Sequence, residues 1–247
     1  MKEEIKVSVI IATWNAAHLL PACLDSIAAV QVPGLEIVIA DGGSKDNTVA
    51  LLEAFKKVPL HYISEPDKGI YDALNKGVSQ AHGKWLYFMG ADDRLLPGFA
   101  NLCQKLQDEH TVYYGNTVPV YGPEKPAYTL LVGEFTPWRL AQYCMNHQQI
   151  IYPASVFAKY QYPLKYKVFG DYALNLQVWG DPHFPKVFYP INIAGYYMGG
   201  LSSFHNDTVF KKDKARIILH SMGWWTYLRF LIKRFKRRHL QGHPVFF

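Results

Sequence analysis

Cysteine is scarce: Cys23, Cys103 and Cys144 are the only three in 247 residues. Their odd number, their wide spacing and the lack of any Cys-x-x-Cys exclude a disulfide framework and a cysteine zinc site, and fit a reducing compartment. Long apolar runs are missing as well. No stretch of 18 charge-free apolar residues occurs, which argues against a membrane-spanning helix. The opening residues Met1-Lys2-Glu3-Glu4 are acidic and lead at once into strand-like alternation, unlike a secretory signal. Neither G-x-G-x-x-G nor G-x-x-x-x-G-K-[ST] is present, so dinucleotide dehydrogenases and P-loop ATPases are poor readings despite the Gly42-Gly43-Ser44 turn.

What remains is ordinary globular composition, 49% hydrophobic and 19% charged, enough for one large α/β domain with a sizeable core. The formal net charge of +6 is unevenly distributed. From Lys211 onward there are ten basic residues and one acidic residue, a local +9, which leaves −3 on the preceding 210 residues. A nucleic-acid binder would spread its charge over the folded surface; here a basic tail follows a slightly acidic body.

The first hundred residues alternate strand and helix patterns. Segments 6–13, 35–40, 60–64 and 84–89 read as strands, and 16–29, 46–57 and 69–81 as helices. This βαβαβαβ rhythm predicts a mainly parallel sheet flanked by helices. Ligands bind at the carboxyl ends of such strands, and the polar groups fall there: Thr13-Trp14-Asn15, Asp41-Gly42-Gly43, Glu65-Pro66-Asp67-Lys68 and Asp92-Asp93. After Pro97 the rhythm loosens into a helix over 101–109, a strand over 112–120 and a Pro- and Gly-rich loop over 121–137. Further elements follow around 147–153, 171–179 and 196–203.

Asp92-Asp93 is the sharpest chemical feature. Two adjacent carboxylates at the end of a core strand repel one another, and Mg²⁺ or Mn²⁺ relieves this while keeping positions open for phosphate oxygens. A capped turn is the plain alternative. Asp41, on the same sheet edge, can accept a hydrogen bond from a base or ribose, and Lys68 offers charge to phosphate. Asp171, in VFGDYAL, read from the residues alone, suits an N-cap of the helix running to Trp179 better than a catalytic role.

The ordered set VSVIIATWN, EIVIADGGSKDNT, SEPDKGIYDALNKG and AHGKWLYFMGADD resembles glycosyltransferase family 2, inverting nucleotide-sugar enzymes of GT-A fold. NHQQIIYP, VFGDYALNLQVWG and YYMGGLSS resemble the subgroup of colanic-acid-type exopolysaccharide transferases. The resemblance covers roughly Val7 to Ser203 and implies an α/β GT-A domain, taken as 1–210, with a nucleotide-binding part to about 96 and an acceptor part after it; the basic tail over 211–247 follows it. It implies that Thr13 and Asn15 line the nucleotide pocket and that Asp41 reads the base. Lys68, Asp72 and Asn75 would lie near ribose and diphosphate. The acidic metal motif falls on Gly90-Ala91-Asp92-Asp93, with Gly90 where the first acid is common; both acids are metal candidates, with a lean towards Asp93, and Asp92 also counts towards the donor site. Asp171 maps to the catalytic base, removing the proton of the attacking hydroxyl while metal neutralises the leaving diphosphate. His147 and Gln148 match a recurring His-Gln, and Gly199 to Ser202 a loop near the diphosphate.

The implied partners are a UDP- or GDP-sugar and a glycan or polyprenyl-linked acceptor in surface polysaccharide biosynthesis. Gly90 keeps open an inactive nucleotide-sugar-binding partner of an assembly complex. In the tail, Ile217, Trp224, Leu228, Leu231, Ile232 and Phe235 share one helical stripe, with Arg229, Lys233, Lys236 and Arg237 on the other side. Such a helix suits lying in an anionic membrane surface, placing the protein on the cytoplasmic face; a helix packed on the body is the alternative.

Overall fold

Helices cover both faces of the central sheet, which is why its inner strands are apolar almost throughout rather than alternating. The computed structural model describes residues 4–120, 131–198 and 207–240. Strands β1 (Val7–Thr13), β2 (Leu35–Asp41), β3 (Leu60–Ser64) and β4 (Trp85–Gly90) are joined by α1 (Leu20–Ala29), α2 (Thr48–Ala54) and α3 (Ile70–Gln80). The four strands lie side by side in parallel, in the order β3-β2-β1-β4. Val9 and Ile11 pack with Leu20, Leu24 and Ile27 of α1. Ile10 turns to the opposite face and joins Leu74 and Phe88, the period of two that a strand imposes.

Register positions the site. Thr13 pairs with Asp41, Asp41 with Ser64, and Ala12 with Gly90, so the polar carboxyl ends reach one sheet edge together.

The second half contributes β5 (Arg94–Leu95), α4 (Pro97–Cys103), β6 (Val112–Val120), α5 (Pro137–Gln142), a 3-10 turn (His147–Gln149), β7 (Ile150–Pro153), α6 (Ser155–Lys159), α7 (Gly170–Gly180) and β8 (Lys186–Tyr197). The full order is β3-β2-β1-β4-β7-β6-β8-β5. β7 runs antiparallel to β4 and β6, and β5 antiparallel to β8, so the sheet is parallel in its first half and mixed beyond. The helix expected over 101–109 starts instead at Pro97, whose fixed φ suits a first helical position, and ends at Cys103. β8 was not foreseen, because Pro190 interrupts its aromatic run and proline lowers strand character. Its pairing with β6 tolerates this through register shifts around Asn116.

The tail is α8 (Thr208–Leu240), broken by Gly223 at φ 81°, ψ 171°, a conformation that side-chain-bearing residues rarely adopt. The boundary drawn after residue 210 therefore falls inside a helix that joins the core. Phe210, Ile218 and Phe230 are buried in the cluster that also holds Tyr172 and Trp179 of α7. The single stripe expected from Ile217 to Phe235 is divided by the break: Leu231 packs inward, while Trp224, Trp225, Ile232 and Phe235 are exposed. Arg229 lies 4.4 Å from the Trp138 ring centre and Lys233 reaches Gln142, so these two cations face the body. Among the described residues no helix is long and apolar enough to cross a membrane. Residues 121–130 of the expected loop and the Gly199 to Ser202 segment lie outside the described residues.

Candidate active site

The turn after β2 is folded around one carboxylate. Asp41 is buried at the sheet edge and accepts hydrogen bonds from Thr13 Oγ1 (3.0 Å), the Gly43 and Ser44 amides (3.1 and 2.9 Å), and the Ser44 and Ser64 hydroxyls (2.5 and 2.7 Å). Burial opposes its ionisation, but the bonds from Ser44, Ser64 and Thr13 outweigh that and hold the carboxyl below its ordinary value. Five donors fill both oxygens, so Asp41 shapes the wall of the pocket with its lone pairs already engaged. Asn15, at φ 49°, donates its backbone amide to Ser44 Oγ (2.7 Å) and accepts the Lys45 amide at its side-chain oxygen (2.8 Å). Thr13, Asn15 and Asp41 thus form one connected edge, in which Ser44 and Ser64 had no motif to mark them.

Asp72 caps the start of α3 by accepting the Lys68 amide (3.0 Å), while the Lys68 side chain is exposed. Asn75 is differently placed. Its amide donates to the Tyr162 carbonyl (2.9 Å) and accepts the Tyr162 amide (3.0 Å), so both ends are committed to the segment preceding α7.

The two adjacent aspartates have opposite environments. Asp93 is 1% exposed. Its Oδ2 accepts the Gly90 amide and Gln148 Nε2, each at 2.8 Å, and its Oδ1 accepts the Tyr197 amide at 2.9 Å. Burial and then the neighbouring Asp92 charge push its pKa up. Asp93 therefore binds together the ends of β4 and β8 and the 3-10 turn. Asp92 has no side-chain donor among the described residues; burial raises its pKa too, and the Arg94 charge opposes that only in part. The motif alone does not show this division, since hydrogen bonding across 55 and 104 residues of sequence is invisible in it.

Asp171 lies in the first turn of α7, one residue past the start rather than at the N-cap, which is Phe169. The helix N-terminus favours its negative charge. Its Oδ1 accepts the Tyr172 amide (2.8 Å) and the Tyr71 hydroxyl (3.1 Å); its Oδ2 has no partner among the described residues. Burial raises its pKa, and a proton on His147 would oppose the rise. His147 is itself pushed down by burial, and its buried Nδ1 has no hydrogen-bond partner among the described residues. The 3-10 turn thus couples two parts of the site: His147 faces Asp171, and Gln148 holds Asp93. Tyr71 escaped notice in the sequence, although it stands four residues before Asn75 and so shares its face of α3.

Among the described residues no group of three or more His, Cys, Asp or Glu side chains is arranged to hold a metal. The donor set on offer is one half-buried carboxylate, Asp92, that accepts no side-chain hydrogen bond among the described residues. This fits a hard cation that takes one protein oxygen and completes its shell with water and substrate phosphate.

The sequence model of the family described as Glycosyl transferase family 2 matches residues 8–160. A PGL/p-HBAD biosynthesis glycosyltransferase of Mycobacterium bovis (strain BCG / Pasteur 1173P2) is 34% identical over 218 residues, covering 83% of this chain and 82% of the relative. S. aureus TarS superposes with a TM-score of 0.73 at 18% identity, over 96% of this chain and 44% of TarS, so the chain spans less than half of that protein. The mannosyltransferase PcManGT from Pyrobaculum calidifontis, solved with GDP-Man and Mn²⁺, superposes with a TM-score of 0.60 at 15% identity over 97% of this chain and 76% of PcManGT.

Proposed function

This chain belongs to glycosyl transferase family 2, and we propose that it is an inverting glycosyltransferase moving a sugar from a UDP- or GDP-sugar to a glycan or polyprenyl-linked acceptor of surface polysaccharide. The α/β sheet flanked by helices is of the GT-A fold, shared with TarS and PcManGT, and its register-aligned polar edge supports a nucleotide-sugar site. The observation that carries the mechanism is the Asp171 carboxylate: one oxygen held by two donors, the other open, in surroundings that raise its basicity. Such a group accepts the proton of an attacking hydroxyl, and general-base assistance is worth about 10²–10⁴ in rate. Attack opposite the departing diphosphate inverts the anomeric carbon.

Thr13, Asn15 and Asp41 form the nucleotide wall in this reading, and Asp72 with Lys68 borders the diphosphate. Asn75 ties the donor side to the segment carrying Asp171. Asp92 would hold Mg²⁺ or Mn²⁺, with Asp93 setting the turn that presents it. When bound, the cation neutralises charge on the leaving diphosphate. A TarS fragment solved with UDP-GlcNAc and PcManGT solved with GDP-Man and Mn²⁺ support a nucleotide-sugar donor and a divalent ion. The exposed Trp224, Trp225, Ile232 and Phe235, beside Lys236 and the Arg237-Arg238 pair of the sequence, support peripheral attachment to an anionic membrane, placed here at the cytoplasmic face.

Release of nucleoside diphosphate from a panel of UDP- and GDP-sugars, with lipid-linked acceptors and with Mn²⁺ or chelator, tests this reading. Turnover from at least one donor, abolished by chelator and restored by Mn²⁺, is expected. Saturable donor binding with no turnover across the panel would instead identify the inactive binding partner that Gly90 leaves open.

A further inference from the structure

Asp171 must be ionised to accept a proton, yet burial favours its neutral form and no salt bridge to it is formed among the described residues. The groups facing it are Tyr71 from α3, His147 from the 3-10 turn, Tyr152 from β7, Tyr162 from the segment after α6 and Cys144 from the segment after α5. Lys214 of α8 acts on Cys144. Burial keeps the phenols and the thiol protonated and favours the neutral imidazole. Of these groups, only Tyr71 makes a side-chain hydrogen bond to Asp171.

The Tyr71 hydroxyl lies within reach of two acceptors, Asp171 Oδ1 at 3.1 Å and the Val168 carbonyl. A phenol has one proton and satisfies one of them at a time. Its ring cannot drift to favour either. It stacks on Tyr162 with ring centres 5.5 Å apart, and it lies so close to Gly170 that a Cβ there would fall 2.7 Å from the ring. Asn75, on the same face of α3, locks the Tyr162 backbone from both sides.

We propose that Tyr71 is a positioning residue for Asp171, its hydroxyl proton shared between Oδ1 and the Val168 carbonyl according to whether Asp171 is ionised or neutral. This inference rests on Asp171 being the base. While Asp171 is ionised, its charge makes Oδ1 the stronger acceptor, and the phenol holds that oxygen and leaves Oδ2 open. As the acceptor oxygen bonds to the anomeric carbon, its proton passes to Oδ2. The bond from that carbon to the diphosphate breaks, and its electron pair leaves on the diphosphate oxygen. Oδ1 is then a weak acceptor, and the phenol proton turns to Val168 until Oδ2 loses its proton to solvent.

The pH profile of kcat/KM for Tyr71→Phe, which keeps the ring and its stacking, tests this. Loss of one hydrogen bond to a charged acceptor moves the acid limb up by about one pH unit. Below the limb the rate falls about tenfold, and it recovers towards wild type at high pH with donor KM unchanged. A uniform fall at every pH, or no shift, overturns the proposal. Tyr71→3-fluorotyrosine, a stronger donor of the same shape, moves the limb the opposite way, and an unmoved limb there also overturns it. Asp171→Asn separates the two readings. A wild-type rate in that variant removes the base itself, whereas a crippled Asp171→Asn alongside an unshifted Tyr71→Phe removes only the role of Tyr71.

Discussion

Replacing Asp92 and Asp93 by asparagine, one at a time, should change stability in opposite directions. Asp92 carries a charge that burial disfavours and no side-chain donor relieves. Asp92→Asn removes that charge with little change of shape, and relief of such a functional-site penalty is commonly worth about 0.5–2 kcal/mol. At about 1 kcal/mol, a chain of this size gains roughly 2–4 °C in Tm. Asp93→Asn also removes a carboxyl whose charge burial disfavours, but here the loss of three engaged donors outweighs that relief and reverses the sign. Its carboxylate accepts the Gly90 and Tyr197 amides and Gln148 Nε2, and an asparagine amide must turn its own N–H groups towards at least one of these donors. A buried donor left unsatisfied costs about 1–3 kcal/mol, so Tm should fall by about 4–8 °C for a loss near 2 kcal/mol. The sign of the pH dependence follows from the direction of the Asp92 shift. A carboxyl whose folded pKa is raised destabilises above that pKa, so the gain of Asp92→Asn is present at neutral pH and fades as pH falls towards the unfolded value of about 3.9. Scanning calorimetry also reads the metal. Wild type with Mn²⁺ and UDP or GDP should gain up to about 2.7 kcal/mol at a hundredfold excess over Kd, whereas Asp92→Asn should lose most of the Mn²⁺-dependent part. A lower Tm for Asp92→Asn, or an undiminished Mn²⁺ response in it, would refute the division of roles.

Gly90→Asp, which supplies the acid common at that position, should lower activity rather than raise it. A Cβ at Gly90 would stand 2.4 Å from Asp92 Oδ1 and 3.1 Å from Asp93 Oδ2, displacing the carboxylate the site presents; donor turnover at saturating Mn²⁺ checks this. Trp224→Ala with Trp225→Ala removes two side chains that are 58% and 74% exposed. Tm should stay within about 2 °C, as for surface changes generally, while sedimentation with anionic liposomes should drop severalfold; undiminished sedimentation would place the membrane contact elsewhere. Ile218→Ala, at a fully buried position in the first half of α8, should cost about 2–5 kcal/mol in chemical denaturation, as for a core residue. A cost under about 0.5 kcal/mol, the range of surface changes, would mean that this half is a detachable tail.

The first half of the fold was legible because local pattern and tertiary pairing agree there. Strands β1 to β4 are short apolar runs between clear helices, and their parallel register follows from the crossovers, so Thr13, Asp41 and Gly90 meet at one edge. The second half was less legible because its pairing is nonlocal: β7 inserts antiparallel between β4 and β6, and β8 returns across an internal proline. The same cause limits the site. Motifs named the carboxylates, but which of Asp92 and Asp93 is engaged depends on Gln148 and Tyr197. Tyr71 was passed over because its partner lies 100 residues away. In α8 the helical stripe was read correctly as apolar but not as broken, since a glycine inside a helical pattern is usually tolerated and only its φ reveals the kink.

The central claim is that Asp171 is the proton acceptor in sugar transfer. Its most direct test is the rate of nucleoside diphosphate release by Asp171→Asn relative to wild type, at donor concentrations saturating for both. A fall of about 10²–10⁴ with donor binding retained is predicted. Release within a few fold of the wild-type rate would contradict it.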